Sequence, residues 1–489
     1  MSKLPLVDGI NKYIEEKNIY FCMPGHKNGK GFIKTKEGKK LYDNFIKGDI
    51  TEVDGVDNYH DAKGIIKEAQ TLLSEFYGSK KSYFLINGST SGNLAMIFSV
   101  FDEGDKIIVE RNCHRSIYNA IVLKKLKPIY LKNKFNSEYS IPVSIDKKNF
   151  INVINNNRDA KGIVITYPNY YGICVDLNKI VNIAHKYGMK VLVDSAHGAH
   201  FGVCSSLPQN AIRLGADIVV MSAHKTLPSL TQTAYLHIGD KAFQSDSEFE
   251  KLDFYVSALS STSPSYMFMT SMDYARFYLE KYGKEHYNEL INLCSKYKYK
   301  INNIRGFKIL DMTDINSLNY DNAETTWECS LDITRYILNV DLGYSGHKLC
   351  RYLRENRIQC EMSDSRNVIL IFSPFNTEEE FEYLYEVLKK CPLESIRTQK
   401  NDSIFLDNEL PKIELYPYEI MNKATRKIPI EEAEGNISAV QIVPYPPGIP
   451  IIMPGEVINR DILNIINQYI INERSILGIE NGSITIIDV

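Results

Sequence analysis

The sequence lacks the features that mark membrane proteins, secreted proteins and nucleic-acid-binding proteins. It holds no run of about 18 apolar residues, the length that a helix needs to cross a bilayer. Its first residues, "MSKLPLVDGINKYIEEK", lack the apolar core of a signal peptide. The net charge is only -3, so there is no strongly basic surface for nucleic acid or an acidic membrane. We therefore expect a cytoplasmic protein that binds neither nucleic acid nor a membrane.

Cysteine pairs of the kind that form metal sites are also absent. The nine cysteines are scattered, their number is odd, and no C-x-x-C pair occurs. This pattern argues against a disulfide framework and against a zinc site, and it is typical of a protein in a reducing cytosol. We expect no metal.

What the chain does have is an alternation of short apolar strands and helices. Strands rich in valine and isoleucine, such as "KIIVE", "GIVIT", "KVLVD" and "DIVVMS", follow one another between residues 106 and 222, with helical stretches between several of them. This alternation predicts an α/β fold with a mostly parallel sheet that is covered by helices on both faces. In such sheets, ligands bind beyond the carboxyl ends of the strands.

The length of 489 residues predicts two or three domains. After about residue 325 a strand-helix-strand-helix pattern predicts a second, smaller α/β domain, and the polar stretch 397–413 predicts a link to a C-terminal piece. We expect an N-terminal segment at 1–60, a large domain at 61–320, a small domain at 321–396 and a C-terminal region at 397–489.

A segment rich in glycine and hydroxyl groups, "NGSTSGN" at 87–93, joins a predicted strand to a predicted helix. Its glycines permit a tight turn, Ser89, Thr90 and Ser91 offer hydroxyl groups, and the start of a helix offers free N–H groups. These features suit a phosphate group. Taken alone, the segment is equally well explained as a capped turn.

Three polar residues follow buried strands. Asp194 ends "KVLVD", where a carboxylate could hold a proton on a heteroaromatic nitrogen. Lys225 follows "DIVVMSAH", where burial would lower its pKa and leave an amine that attacks aldehydes. His114 follows "KIIVE" and could stack on a flat ring. Each residue alone has an ordinary alternative: a turn cap, a solvated lysine and a polar loop histidine.

Together, these groups are the protein parts that pyridoxal 5'-phosphate requires. A lysine forms the Schiff base, an aspartate keeps the pyridine nitrogen protonated, and the cofactor becomes an electron sink. The order of motifs resembles the bacterial ornithine/lysine/arginine decarboxylase family of fold type I (aspartate aminotransferase-like) enzymes. The resemblance rests on these stretches: "FCMPGHKNG", "GDITEVDGVDNYHDAKGIIKEAQ", "NGSTSGN", "RNCHRS", "DSAHGAH", "SAHKTLPSLTQTAYLHI" and "PYPPGIPIIMPGE".

The resemblance implies roles for individual residues. Lys225 would be the Schiff-base lysine, Asp194 the partner of the pyridine nitrogen and His114 the residue stacked on the ring. Other contacts to the phosphate or the cofactor would come from Ser89, Thr90, Ser91, His197, Ser222 and His224. His197 lies in "DSAHGAH", which differs from the tryptophan-containing segment of the family. Lys225 or His224 would protonate the α-carbon after carbon dioxide leaves.

The chain most resembles the short biosynthetic members, without the N-terminal wing domain of the inducible enzymes. The implied reaction is decarboxylation of L-arginine to agmatine, for polyamine biosynthesis. Lysine or ornithine as substrate is the first alternative. An aminotransferase or lyase on the same fold, with Arg366 on the substrate carboxylate, and a non-catalytic regulatory homologue are further alternatives.

Acidic residues that could face a cationic substrate are Glu456, Asp49 and Glu52, although Glu456 could equally cap a helix. For "PGHKNG", "GDITEV" and "PYPPGIP" we expect only a place at the rim of the site. Because "PGHKNG" lies far from the other motifs in sequence, it could serve a neighbouring subunit. We therefore expect at least a homodimer.

Overall fold

The computed structural model describes residues 4–316, 327–398, 409–444, 450–471 and 476–488. The N-terminal segment contains three helices and one strand, which are α1 (Pro5–Glu15), β1 (Ile19–Phe21), α2 (Lys30–Ile33) and α3 (Lys36–Asn44). Two short 3₁₀ helices, Ile46–Gly48 and Tyr59–Asp61, follow them.

The described residues of the large domain form ten strands and nine helices. The strands are β2 (Lys81–Leu85), β3 (Lys106–Glu110), β4 (Lys127–Leu131), β5 (Asn133–Asn136), β6 (Ile141–Ile145), β7 (Gly162–Thr166), β8 (Ile173–Cys174), β9 (Lys190–Asp194), β10 (Ile218–Met221) and β11 (Ala234–Ile238). The helices are α4 (Ile65–Tyr77), α5 (Gly88–Val100), α6 (Arg115–Leu123), α7 (Lys147–Asn156), α8 (Leu177–Lys186), α9 (Ala223–Thr226), α10 (Asp246–Ala258), α11 (Tyr266–Tyr278) and α12 (Lys284–Asn302). A π-helical turn, Leu279–Gly283, joins α11 to α12.

Seven of these strands form one sheet in the order β2-β11-β10-β9-β7-β3-β4. Strand β11 runs antiparallel to both of its neighbours, β2 and β10, and all other pairs in the sheet are parallel. Side chains of successive residues alternate between the two faces, so that Val191 and Val193 pack on one side of the sheet and Leu192 packs on the other. The mostly parallel sheet with two covered faces confirms the predicted fold class.

A second sheet follows the long helix α12. Its region contains β12 (Phe307–Ile309), α13 (Met312–Asn316), β13 (Ser330–Leu331), β14 (Arg335–Val340), α14 (Gly346–Glu355), β15 (Ile358–Cys360), β16 (Met362–Ser363), β17 (Asn367–Ile371), α15 (Glu378–Lys389) and a 3₁₀ helix at Leu393–Ile396. The sheet order is β12-β14-β17-β16, with all pairs antiparallel. Strand β15 instead pairs in parallel with β1, so the N-terminal segment is fastened to this smaller domain.

The predicted boundary after residue 320 assigns β12 to the large domain, although β12 pairs with β14 in the second sheet. We propose that the small domain includes β12. The other predicted boundaries, after residues 60 and 396, stay predictions.

The C-terminal region packs around its own apolar cluster. It begins with a 3₁₀ helix (Pro417–Asn422), strand β18 (Thr425–Pro429) and a second 3₁₀ helix (Ile430–Glu432). The elements that follow are β19 (Val443–Pro444), α16 (Arg460–Ile471), β20 (Ile476–Leu477), β21 (Ile479–Glu480) and β22 (Ser483–Ile487). Among all described helices, none combines the length and the apolar character that a membrane span requires.

Candidate active site

Lys225 lies in the short helix α9, directly after the carboxyl end of β10. The neighbouring strand β9 is parallel to β10 and ends at Asp194, which pairs in register with Val220. The two strand ends therefore bring the lysine and the aspartate to the same edge of the sheet, as expected for a parallel pair. Burial lowers the pKa of the Lys225 amine, although the negative charges of Asp194 and Glu361 act in the opposite direction.

Asp194 is buried and fixed by two donors. Its Oδ2 accepts a hydrogen bond from Asn93 Nδ2 at 2.8 Å, and its Oδ1 accepts one from the Ala196 backbone N–H at 3.0 Å. Asn93 lies in helix α5 and also donates to Ser116 Oγ at 2.9 Å. Asn93 was missed in the sequence because a buried asparagine within a helix carries no signal of its long-range partner. It belongs to the quoted "NGSTSGN" segment, which was the one available hint.

His114 is the N-cap residue of α6. Its Nδ1 lies 3.2 Å from the Ser116 backbone N–H, which can only donate, and 2.8 Å from Ser116 Oγ. The ring nitrogen Nδ1 is therefore an acceptor, and the hydrogen of the neutral ring lies on Nε2. Burial lowers the pKa of His114, with Asp194 opposing this and Lys225 adding to it. His114 thus presents a neutral ring beside Asp194.

The predicted phosphate segment lies inside a helix, and not before one. Helix α5 begins at Gly88, whose φ of +77° is favourable for glycine, so the three hydroxyl residues occupy its first turn. Ser222 Oγ donates to Ser89 Oγ at 2.9 Å. Ser91 Oγ donates back to Gly88 O at 2.8 Å, and Thr90 is exposed. The pair of Ser89 and Ser222, with the free N–H groups of the first turn, is the best-formed anion site here.

His197 makes the direct contact to Lys225. The distance from Lys225 Nζ to His197 Nε2 is 3.0 Å, and the ring of Tyr170 packs edge-on against the His197 ring at 4.8 Å between centroids. On its other side, His197 Nδ1 lies 3.3 Å from Arg335 Nη2. Arg335 was missed because it is only an arginine at the start of an apolar strand in the sequence, and its partners are distant in the chain.

His224 is adjacent to Lys225 in sequence but is directed elsewhere. Its Nδ1 lies 2.8 Å from the Thr233 carbonyl oxygen, which can only accept, so Nδ1 carries the hydrogen. Burial lowers the pKa of His224. A neutral histidine held in this way is poorly suited to the predicted role of proton donor.

Glu361 is a further acidic group near the lysine that sequence reasoning missed. Its Oε1 accepts from the Tyr170 hydroxyl at 2.5 Å and its Oε2 accepts from the Met23 backbone N–H at 3.0 Å. Like Lys225 and Tyr170, it is partly exposed. A carboxylate therefore lies close to the opening of the site.

The "PGHKNG" motif packs against the Lys225 segment of its own chain. Gly25 N donates to His224 O at 2.7 Å, and a Cβ atom at this position would lie 2.4 Å from the Thr226 carbonyl carbon. Ser373 Oγ, after the last strand of the second sheet, donates to Gly25 O at 2.7 Å. The fold thus brings the motif against the Lys225 segment of its own chain, although the two lie about 200 positions apart in the sequence, and a role in a neighbouring subunit stays a prediction.

Lys27 of the same motif is fully buried, and no carboxylate among the described residues forms an ion pair with it. Its ammonium group donates to Cys22 O at 2.6 Å and to Ile371 O at 2.9 Å, and burial lowers its pKa to about 8. Lys27 therefore ties the N-terminal segment to the second sheet.

The acidic residues predicted for the substrate lie elsewhere. Glu456 forms a buried ion pair with Arg111, and its Oε2 also accepts from the Met453 backbone N–H at 2.7 Å. Both oxygens are used inside the protein, so these contacts give no support to the prediction that Glu456 faces a substrate, and it stays a prediction. Asp49 and Glu52 are exposed. Of the predicted "PYPPGIP" rim, residues 445–449 lie outside the described part of the chain.

Arg366, the predicted carboxylate ligand of the aminotransferase alternative, is also used internally. Its guanidinium donates to Glu138 O, to Val340 O at 2.9 Å and to Asn339 Oδ1 at 3.2 Å. None of these partners belongs to the Lys225 site.

The chain matches two family models along most of its length. The model described as "Orn/Lys/Arg decarboxylase, major domain" matches residues 4–380, and the model described as "Orn/Lys/Arg decarboxylase, C-terminal domain" matches residues 402–476.

Relatives and solved structures show the same likeness. The chain is 34% identical to "Uncharacterized protein YaaO" of Bacillus subtilis (strain 168), over 97% of this chain and 96% of that protein. It is 31% identical to "Arginine decarboxylase" of the same strain, over 99% of this chain and 97% of that protein. The crystal structure of the Francisella novicida lysine decarboxylase LdcF superposes with a TM-score of 0.78 at 24% identity, over 96% of this chain and 79% of that chain.

Proposed function

Because the chain belongs to the Orn/Lys/Arg decarboxylase family, we propose that it converts L-arginine to agmatine and carbon dioxide with pyridoxal 5'-phosphate as cofactor. The observation that supports this best is the grouping of Lys225, His197 and Asp194 at one sheet edge, beside a hydroxyl-lined helix start. The full-length likeness to a Bacillus subtilis arginine decarboxylase supports arginine as the substrate. Agmatine is a precursor for polyamine biosynthesis, and we propose a cytoplasmic location.

The side chains gathered at this site have the chemistry that the cofactor requires. The first turn of the 13-residue helix α5, with the hydroxyl groups of Ser89 and Ser222, would hold the phosphate. The buried carboxylate of Asp194 would keep a proton on the pyridine nitrogen, and the neutral ring of His114 would lie against the cofactor ring. Lys225 would hold the aldehyde through its amine. When bound, the cofactor accepts the electron pair that carbon dioxide leaves behind.

The residues of the chain then have two tasks. Asn93 and the Ala196 N–H hold the Asp194 carboxylate in one orientation, so its negative charge stays directed at the site throughout the reaction. Loss of carbon dioxide leaves a carbanion that requires one proton at the α-carbon. We propose that Lys225, hydrogen-bonded to His197, delivers this proton, because His224 is neutral and donates its N–H to Thr233.

Glu361 is the group that we propose for the far end of the substrate. A guanidinium group is best recognised by a carboxylate, since it offers several N–H donors in one plane. Glu361 lies at the partly exposed side of the site and its charge acts on Lys225. The hydrogen bonds from Tyr170 and Met23 fix the carboxylate and leave further lone pairs free.

Lysine or ornithine remains the alternative substrate, because an ammonium group also binds a carboxylate. One comparison of kcat/KM for L-arginine, L-lysine and L-ornithine, with carbon dioxide as the measured product, tests the proposal. We expect arginine to exceed the other two by a large factor, since a mismatched polar end leaves buried groups without partners. A higher value for lysine or ornithine would refute arginine, and no carbon dioxide from any of the three would refute decarboxylation.

We propose that the protein acts at least as a homodimer. An open groove of about 390 Å³ between α3, α4 and α11 is lined by apolar groups, including Leu41, Phe84 and Met269, and Ile65 at its edge is exposed. Phe84 and Met269 are already buried, and a second copy would remove Ile65 and the exposed part of Leu41 from water. Light scattering at assay concentration tests this, and a fully active monomer would contradict it.

A further inference from the structure

A buried arginine lies on the far side of the histidine that contacts Lys225. The side chain of Arg335 has no exposed surface. Its Nη1 donates to the Tyr170 carbonyl oxygen at 2.5 Å, and its Nη2 lies 3.3 Å from His197 Nδ1, at the long end of hydrogen-bond distances. His197 Nε2 lies 3.0 Å from Lys225 Nζ. Arg335, His197 and Lys225 thus form one line of nitrogen atoms.

The carboxylate of Asp332 also lies close to the Arg335 guanidinium. Asp332 Oδ2 lies 3.9 Å from Arg335 Nη2 and 3.3 Å from His200 Nε2. Thr334 donates to Asp332 Oδ1 through its hydroxyl group at 2.6 Å and its backbone N–H at 3.0 Å. Burial opposes the charge of Asp332, but His200, Arg335 and the Thr334 hydroxyl lower its pKa to about 2, so it is ionised. The guanidinium therefore keeps its position and its charge.

The hydrogen atoms on this line follow from the chemistry of each group. A guanidinium has donors only, so His197 Nδ1 must accept from Arg335 and carries no hydrogen. A neutral imidazole then has its hydrogen on Nε2 and donates it to Lys225 Nζ. An ammonium group has no lone pair to accept this hydrogen, whereas an amine has one. A charged Lys225 would require a hydrogen on Nδ1, facing the donor group of Arg335.

We propose that Arg335 is a positioning residue that holds His197 in its Nε2–H tautomer and so favours the neutral amine of the free Lys225 side chain over its ammonium form. This inference rests on the proposed function, in which Lys225 holds the cofactor aldehyde and gives a proton to the α-carbon. It adds a reason why the displaced lysine gives up that proton readily and is then a nucleophilic amine again. Only the neutral amine attacks an aldehyde, so a charged lysine would slow the return of the cofactor to the protein.

The other charged and titratable groups around Lys225 do not produce this effect. The carboxylates of Asp194 and Glu361 favour the ammonium form. His114 and His224 lie close enough to act on the pKa of His197, and both are neutral because burial lowers their own pKa. Arg335 is the one fixed cation among the groups acting on Lys225, and its charge lowers the pKa of that lysine, as burial does. Its charge and its hydrogen bond to His197 therefore act in the same direction.

The test uses the full chain freed of its cofactor. Pyridoxal 5'-phosphate is added at a series of pH values, and the rate of capture is followed by the yellow absorbance that it acquires on the protein. The midpoint of this pH profile reports the pKa of the Lys225 amine. For Arg335→Met we expect the midpoint to rise by about one pH unit, with roughly tenfold slower capture below the midpoint.

Arg366→Met is the matched control, since Arg366 is also a buried arginine of the small domain, but its guanidinium donates to Glu138, Asn339 and Val340 and not to His197. Its midpoint should equal that of the unaltered protein. A midpoint for Arg335→Met that stays the same or falls would overturn the proposal. A loss of packing alone would lower the rate at every pH without moving the midpoint.

A second measurement does not use an Arg335 variant, so it can be made even if that variant does not fold. In ¹⁵N-histidine-labelled, cofactor-free protein, His197 should show a pyridine-type Nδ1 and a pyrrole-type Nε2, with the signals assigned from their loss in His197→Gln. The reverse pattern would overturn the proposal. If capture of pyridoxal 5'-phosphate does not depend on Lys225, the proposed function is refuted instead. Failure of the Arg335 proposal and failure of the proposed function are therefore distinguishable.

Discussion

A substitution of Glu456, which forms an ion pair with Arg111, distinguishes a structural role for this residue from a role in substrate binding. Arg111 Nη1 and Nη2 donate to the two carboxylate oxygens at 2.6 and 2.8 Å, and the side chains are 4% and 1% exposed. Glu456→Gln keeps the shape of the side chain but leaves the guanidinium buried without a counter-charge. Removal of one partner from a buried pair costs about 3–5 kcal/mol.

The lower bound of this range corresponds to roughly a hundredfold change in the folding equilibrium, since each ~1.4 kcal/mol is a factor of ten. The pair joins the C-terminal region to the end of strand β3, so we expect the loss to appear in the unfolding of the C-terminal region. Urea unfolding followed by circular dichroism, together with hydrogen exchange of the amides in β18 and β22, measures it.

Two further variants make the result specific. Glu480→Gln removes an exposed partner of Lys427 in the same region and should leave the unfolding midpoint nearly unchanged. Arg111→Met combined with Glu456→Leu removes both buried charges and should recover most of the lost stability. The reasoning is refuted if Glu456→Gln unfolds like the unaltered protein while its KM for arginine rises tenfold or more, because Glu456 would then face the substrate.

Four other substitutions test the site. Lys225→Ala should lose both the yellow colour and turnover, and full activity in this variant would contradict the role of the lysine. Asp194→Ala should retain its fold by circular dichroism but lose about 10²-fold or more in kcat, whereas a loss below tenfold with bound cofactor would exclude the proposed charge stabilisation. Glu361→Gln should raise the KM for arginine at least tenfold with a smaller change in kcat, and an unchanged KM would remove Glu361 from substrate recognition. Gly25→Ala should slow cofactor capture and lower the thermal midpoint, because the added Cβ atom meets the backbone of the Lys225 segment. The control is Gly9→Ala, whose added Cβ atom meets nothing within 4 Å, and it should change neither the rate of capture nor the thermal midpoint.

The sequence was informative where a functional group lies at the end of its own strand. Asp194 and Lys225 each follow a short apolar strand, and adjacent parallel strands bring their carboxyl ends together. Local pattern and one topological rule therefore suffice to place both residues at one edge. The fold class followed from the same pattern, since buried parallel strands are apolar along their whole length.

Residues that reach the site from distant parts of the chain could not be predicted in this way. Arg335 and Glu361 belong to the smaller domain, and Gly25 belongs to the N-terminal segment that packs on that domain. Their positions depend on how two domains pack, and hydrophobic periodicity holds no information about that packing. Glu456 shows the converse limit of the sequence, because an acid close to a family motif appears available there, and only the structure shows its buried partner Arg111.

The start of helix α5 is a smaller discrepancy with a local cause. The segment "NGSTSGN" at 87–93 was predicted to connect a strand to a helix, whereas the helix already begins at Gly88. The first turn contains glycine and serine, which are weak helix formers, but the positive φ of Gly88 and the buried contacts of Ser91 and Asn93 fix it. Helix starts that serve an anion site are therefore poorly marked by helix propensity.

The measurement that tests the central claim most directly is the release of labelled carbon dioxide from L-arginine labelled at its carboxyl carbon. The protein is loaded with pyridoxal 5'-phosphate, and carbon dioxide, agmatine and the pH of an unbuffered solution are followed together, with Lys225→Ala as the control. We expect one labelled carbon dioxide for each agmatine, a rise in pH because each turnover consumes a proton, and no release by the variant. Undiminished release by Lys225→Ala, or consumption of arginine without carbon dioxide, would contradict the account.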